Sequence, residues 1–200
     1  MVRGKRAEWI GNLTAYTVAG AASSAAVGAA LAFTGSLALP SDLGAIGPSI
    51  AVIVAVITLT RELGLLPMPL PQLGRQSVER WAKLLPLRTA AGLWGLDIGL
   101  SFATKLNYSG GLLLAAIALL SRHPVFGIVI FVAYWFGRAG SAWLGPWLLA
   151  VNNEEVGGRD VSPLIAAISS QRKLFAWVHI AALFASLLAL TTTAAIGQGF

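Results

Sequence analysis

Residues 9–41 read WIGNLTAYTVAGAASSAAVGAALAFTGSLALPS, without one charged side chain. About 20 consecutive apolar residues cross the hydrocarbon core of a bilayer as a helix, so this run is long enough with residues to spare. Arg3, Lys5 and Arg6 precede it, an arrangement that secretory signal peptides share. The apolar region of such peptides is only about 7–15 residues long, and Leu37-Ala38-Leu39 is a loose match to a cleavage site. A retained first helix over about 12–38, long, tilted or broken, is the expectation.

The pattern continues outward. A Val/Ile-rich run from Ile46 reaches Thr60, then Arg61-Glu62 and Leu63–Leu66, giving a second segment over about 46–65. Pro67-Met68-Pro69-Leu70-Pro71 cannot continue a helix and favours extended geometry. In the connection 67–88, Val78, Trp81, Ala82 and Leu85 are spaced for one helical face and Arg75, Glu79, Arg80 and Lys83 for the other. Such a helix lies on a membrane surface or in solvent. Residues 89–121 carry only Asp97 and Lys105 as charges, too long a run for one straight crossing, and Asn107-Tyr108-Ser109-Gly110-Gly111 reads as a break in its middle. One crossing in two helical pieces is expected, with a pair of short helices as the other arrangement. Segments over 125–150 and 174–195 follow, separated by a loop with Glu154-Glu155 and a Ser162-Pro163 helix start. The fold expected is all-α: one polytopic transmembrane bundle of five or six membrane segments.

Composition agrees. The chain is 56% hydrophobic and 11% charged, with mean hydropathy +0.76, whereas a water-facing domain carries about 25% charged residues. The net charge of +6 does not point to nucleic acid, because Lys and Arg stand where apolar runs end rather than in basic stretches interleaved with aromatics. Their concentration at the N-terminus and in 72–88 places both on the cytoplasmic side, and five crossings put Phe200 outside. A bacterial-type plasma membrane is the setting expected. Seven Trp, mostly near segment ends, suit interfacial anchoring.

Small residues recur. Gly20, Ser24 and Gly28 lie four apart, and so do Gly95, Gly99 and Ala103, 75 positions on. Arg61 is followed 77 positions later by Arg138. A degenerate duplication of a two-helix unit accounts for both offsets, as does chance in so biased a composition. Ladders of this kind let helix backbones approach closely, so Gly20, Ser24, Gly28, Gly95 and Gly99 are expected at helix contacts.

Few residues carry chemistry. A charge inside the bilayer costs several kcal/mol, of order 3, unless it is paired or neutralised. Asp97, Lys105 and Arg138 are therefore the ion- or substrate-site candidates. Asp97 either binds a proton or ion or pairs with an arginine of another helix. Arg138, about 21 Å into its helix from Pro124, either snorkels to the far interface or pairs with Asp97. Arg61 and Glu62 end a helix and read as interfacial. His123 and His179 have no second ligand at helical spacing, so no metal site, no cofactor and no catalytic residue is expected. The chain has no cysteine, which excludes disulfides and thiol chemistry.

Residues 9–147 resemble the membrane proteins related to the CcdA/DsbD thiol-electron carriers and, more distantly, the LysE-type exporters. The resemblance rests on Gly95-Leu96-Asp97-Ile98-Gly99 with Thr104, on Tyr134-Trp135-Phe136-Gly137-Arg138, and on the Pro-rich stretch before Trp81 and Pro86. It implies a fold and a membrane setting. The thiol carriers act through a pair of membrane cysteines that this chain lacks, so no catalytic residue carries over. The function expected is a non-catalytic accessory or assembly subunit, packed in the lipid bilayer against other membrane proteins, with a small-solute or ion transporter as the alternative.

Overall fold

A computed structural model describes residues 3–44, 46–70, 80–101, 108–151 and 172–197. Among these every regular element is a helix: α1 (Arg3–Ala38), α2 (Ile46–Glu62), α3 (Arg80–Leu84), α4 (Leu87–Gly99), α5 (Gly110–Ser121), α6 (Pro124–Val151) and α7 (Arg172–Gly197). Three of them contain stretches long and apolar enough to cross a membrane, Ala7–Ala38, Pro124–Leu144 and Lys173–Thr192, and α5 is a shorter apolar helix. The chain is an all-α, membrane-associated protein.

The expected segment bounds shift where backbone chemistry intervenes. The second helix ends at Glu62 rather than at 65, because Gly64 takes a left-handed φ of 76°. The amphipathic stretch is not one helix to Arg88. Its described part is the short α3, and Pro86 separates that from α4, which holds Arg88 in its first turn. Residues 71–79, 102–107 and 152–171 lie outside the described residues, and with them Asn107, Ala103, the Glu154-Glu155 pair and the Ser162-Pro163 start.

α1 is the axis of the molecule. Its 36 residues run about 54 Å. α4 and α5 lie along it one after the other and in the same direction. Gly11 faces the Arg88 guanidinium, Gly95 the backbone of Tyr16, Gly99 the backbone of Gly20, and Gly35 the backbone of Leu119. α6 runs antiparallel on another face of α1, where Gly28 and Gly127 set backbone against backbone and Gly20 receives the Trp135 ring. At Gly28, Gly35, Gly95, Gly99 and Gly127 a Cβ would meet backbone, and at Gly20 the buried Trp135 ring, atoms that cannot easily move aside, which is why small residues recur there.

Trp135 is 1% exposed and donates its indole N–H to the Thr17 carbonyl at 2.8 Å. Trp143 donates to Thr17 Oγ1 at 3.0 Å and stands edge-on to Trp9. Trp135 is thus a core residue, not an interfacial anchor, because its one polar atom is satisfied by a neighbouring helix.

α2 and α7 complete the bundle on the α5 side. Ala55, Leu113 and Leu183 form a buried cluster, lined by Val54, Leu59, Ile117, Leu187 and Leu190. The pairings set α2 antiparallel and α7 parallel to α5. α6 stands to α1 as α2 stands to α5, so exchanging α1 with α4–α5 and α2 with α6 maps one pair of neighbours onto the other. That is the topology an internal two-helix duplication requires.

Candidate functional site

The break between α4 and α5 sits beside the middle of α1. Ser24 donates to the Gly99 carbonyl at 2.9 Å across the α1–α4 contact, and Ser24 lies near the centre of the apolar span Ala7–Ala38. Leu100 closes α4, and Ser101, at φ 59°, turns the chain out of it. The first residue of α5 is Gly110, so the N-terminal end of this helix opens inside the bundle, beside α2 and α7.

Ser109 precedes α5 but does not cap it with its own hydroxyl. That hydroxyl donates to the Thr58 carbonyl of α2 at 3.2 Å. The Ser109 N–H donates instead to Glu62 Oε1 at 2.8 Å. The carboxylate thereby takes the place of a capping side chain and meets the positive end of the α5 dipole. Arg61 Nη1 lies 2.6 Å from the same oxygen, and Arg61 Nε donates to the Met68 carbonyl at 2.9 Å. One arginine therefore neutralises Glu62 and pins the Pro-rich segment under the end of α2. Arg61 and Glu62, with side chains 21% and 10% exposed, form an ion pair.

His179 of α7 comes to the same place. Its ring lies against Tyr108, tilted by 37° with centroids 4.8 Å apart. It lies so close to Gly110 that a Cβ there would meet Cε1 at 2.6 Å. Its Nε2 is buried without a hydrogen-bond partner, and Glu62 and Arg61 both act on it electrostatically. His179 is nearly two turns into the apolar span that begins at Lys173. A carboxylate, a guanidinium, an imidazole and a phenol thus converge on one helix start, three of them from segments far apart in sequence.

The residues singled out from the sequence lie elsewhere. Asp97 is 7% exposed on α4, two positions from both Gly95 and Gly99 and so on the face turned away from that pair. No ion pair joins it to Arg138 among the described residues. Two helices explain this: Asp97 turns away from α1, while Arg138 sits on α6 near Tyr16, across α1 from α4. Arg138 is half-buried and its Nη1 has no hydrogen-bond partner. Lys105 lies outside the described residues. Gly20, Ser24, Gly28, Gly95 and Gly99 all stand in the contacts of α1 with α4 and α6. Glu62 and His179 are the functional candidates that linear reading passes over. An acidic residue ending an apolar helix and a lone histidine in an apolar run are the only local signals, and neither names the other.

Among the described residues no group of three or more His, Cys, Asp or Glu is placed to hold a metal ion. No family model matches the chain, and no curated protein or solved structure does. The kinship to the CcdA/DsbD and LysE-type proteins stays an expectation resting on the motifs alone.

Proposed function

We propose that the chain is a small-solute or ion carrier of a bacterial-type plasma membrane, crossing it five times with the start of α1 in the cytoplasm. α4 and α5 together make one crossing in this reading. What supports it is the convergence of Arg61, Glu62 and His179 on the start of α5, inside the bundle. Idle charges in lipid are expensive, and those that persist mark ion or substrate pathways by default. Carriers place their sites near the bilayer midplane, where a discontinuous helix frees backbone groups for binding, and at the interface of internal repeats. The break between α4 and α5, set among α1, α2 and α7, suits that arrangement. The orientation follows from charge: Arg88, at the start of α4, lies beside the start of α1, on the end that also holds Arg3, Lys5, Arg6, Arg80 and Lys83.

The accessory-subunit reading has one observation in its favour. Only 6% of the apolar window of α7 is buried inside the molecule, which leaves a broad face for lipid or for another membrane protein.

One pair of measurements separates the two. Proteoliposomes on a solid-supported membrane are challenged with Na+, K+, chloride and a panel of amino acids. A carrier gives a transient current for at least one of them, abolished by Glu62→Gln, which keeps the acceptor for Ser109 but removes the charge. No current from wild type, together with a stoichiometric partner in gentle extracts of the native membrane, rejects the carrier and leaves the subunit.

A further inference from the structure

We infer that His179 and Glu62 form a proton-binding site at the α5 start, with the His179 imidazole as the group that takes and releases the proton. The inference rests on reading the break as a site but not on solute flux. Its test is independent of any transported substrate.

The geometry supports it in three ways. His179 Nε2 is buried and makes no hydrogen bond, so a basic nitrogen has been desolvated without a partner to offset it. The ring is seated rather than loose. Tyr108 covers it at 4.8 Å, and Gly110 leaves it room that an alanine would occupy. The titratable and charged neighbours are Glu62 and Arg61 from α2 and Tyr108 from the segment before α5, while α5 presents glycine and apolar side chains at this level.

Glu62 sets the balance. With His179 neutral, the carboxylate is satisfied by Arg61 and the Ser109 N–H. An imidazolium adds a second positive charge beside Glu62, which favours it, and one beside Arg61, which opposes it. The proton affinity of His179 is therefore poised by two neighbours of opposite sign, one residue apart in the chain. Of the ionisable types only histidine changes charge near neutral pH without large perturbation. Uptake adds one proton to Nε2 and one positive charge to the site; release reverses both.

The chain holds two histidines, His123 and His179, so a His123→Gln protein carries one imidazole signal. With 15N-histidine label in lipid nanodiscs, the ring nitrogens report protonation directly. The ring is followed over the pH range in which the protein stays folded, and a single titration within it is expected. Glu62→Gln should lower its midpoint by about one pH unit, and Arg61→Gln should raise it by a similar amount, each about tenfold in proton affinity. Should Glu62→Gln fail to fold, the rise in Arg61→Gln carries the test alone. A ring that stays neutral across this range, or a midpoint that neither variant moves, overturns the inference. Titration without any solute current would leave the proton site standing and remove only the carrier.

Discussion

At position 28 a single methyl group separates a fitting side chain from a clash. A Cβ on Gly28 would press on the carbonyl of Gly127, and one on Gly127 on the carbonyl of Gly28, with Ala32 close behind. Backbone does not yield as a flexible side chain does, so α1 and α6 must part. Gly28→Ala should cost about 1–3 kcal/mol and lower the thermal midpoint in detergent. Gly92 is the control: nothing lies within 4 Å of its Cβ position, and alanine there should be neutral or stabilising by about 0.5–1 kcal/mol, since glycine is a poor helix former. Equal midpoints for the two variants would mean that the α1–α6 contact is not tight. Trp135 makes a second test on the same seam. Trp135→Phe removes an indole N–H bonded to Thr17 and part of a buried ring, a loss of about 1–3 kcal/mol. Trp143→Phe should cost less, because Trp143 is 41% exposed. Thermal unfolding that ranks Trp143 above Trp135 would contradict that order.

The break between α4 and α5 was legible in sequence as a Tyr-Ser-Gly-Gly cluster inside an apolar run, since glycine and serine interrupt helices by known means. The helical class was legible too, from the length of the uncharged runs. What stands around the break was not. Glu62, Ser109 and His179 are separated by 47 and 70 positions, and no period or motif links them; only the packing of α2 and α7 on α5 brings them together. Asp97 drew notice because it is a carboxylate inside an apolar run, a signal that says nothing about which face of α4 it takes. The path of α4 and α5 along α1 predicts one crossing. A chain without native cysteine permits a clean check by single cysteines at Leu87 and His123, one at the start of α4 and one just after α5. An impermeant maleimide added outside right-side-out vesicles should label His123→Cys and not Leu87→Cys. Labelling of both from the same side would make the two pieces a hairpin.

Under the proposed five-crossing topology, the start of α1 and the end of α7 lie on opposite sides of the membrane. Reporter fusions after Arg88 and after Phe200 should accordingly answer from opposite sides of the membrane, and agreement between them would refute the five-crossing topology. The same architecture has a consequence in time. The Trp135 indole closes on Thr17 across 118 positions of chain, and a ribosome adds about 5–20 residues per second. Roughly 6–24 s thus pass between the synthesis of Thr17 and that of Trp135. For that interval α1 stands in the bilayer with the α6 side of its small-residue ladder unsealed. In the finished molecule that face is closed by the Trp135 ring against Gly20 and by Gly127 against Gly28.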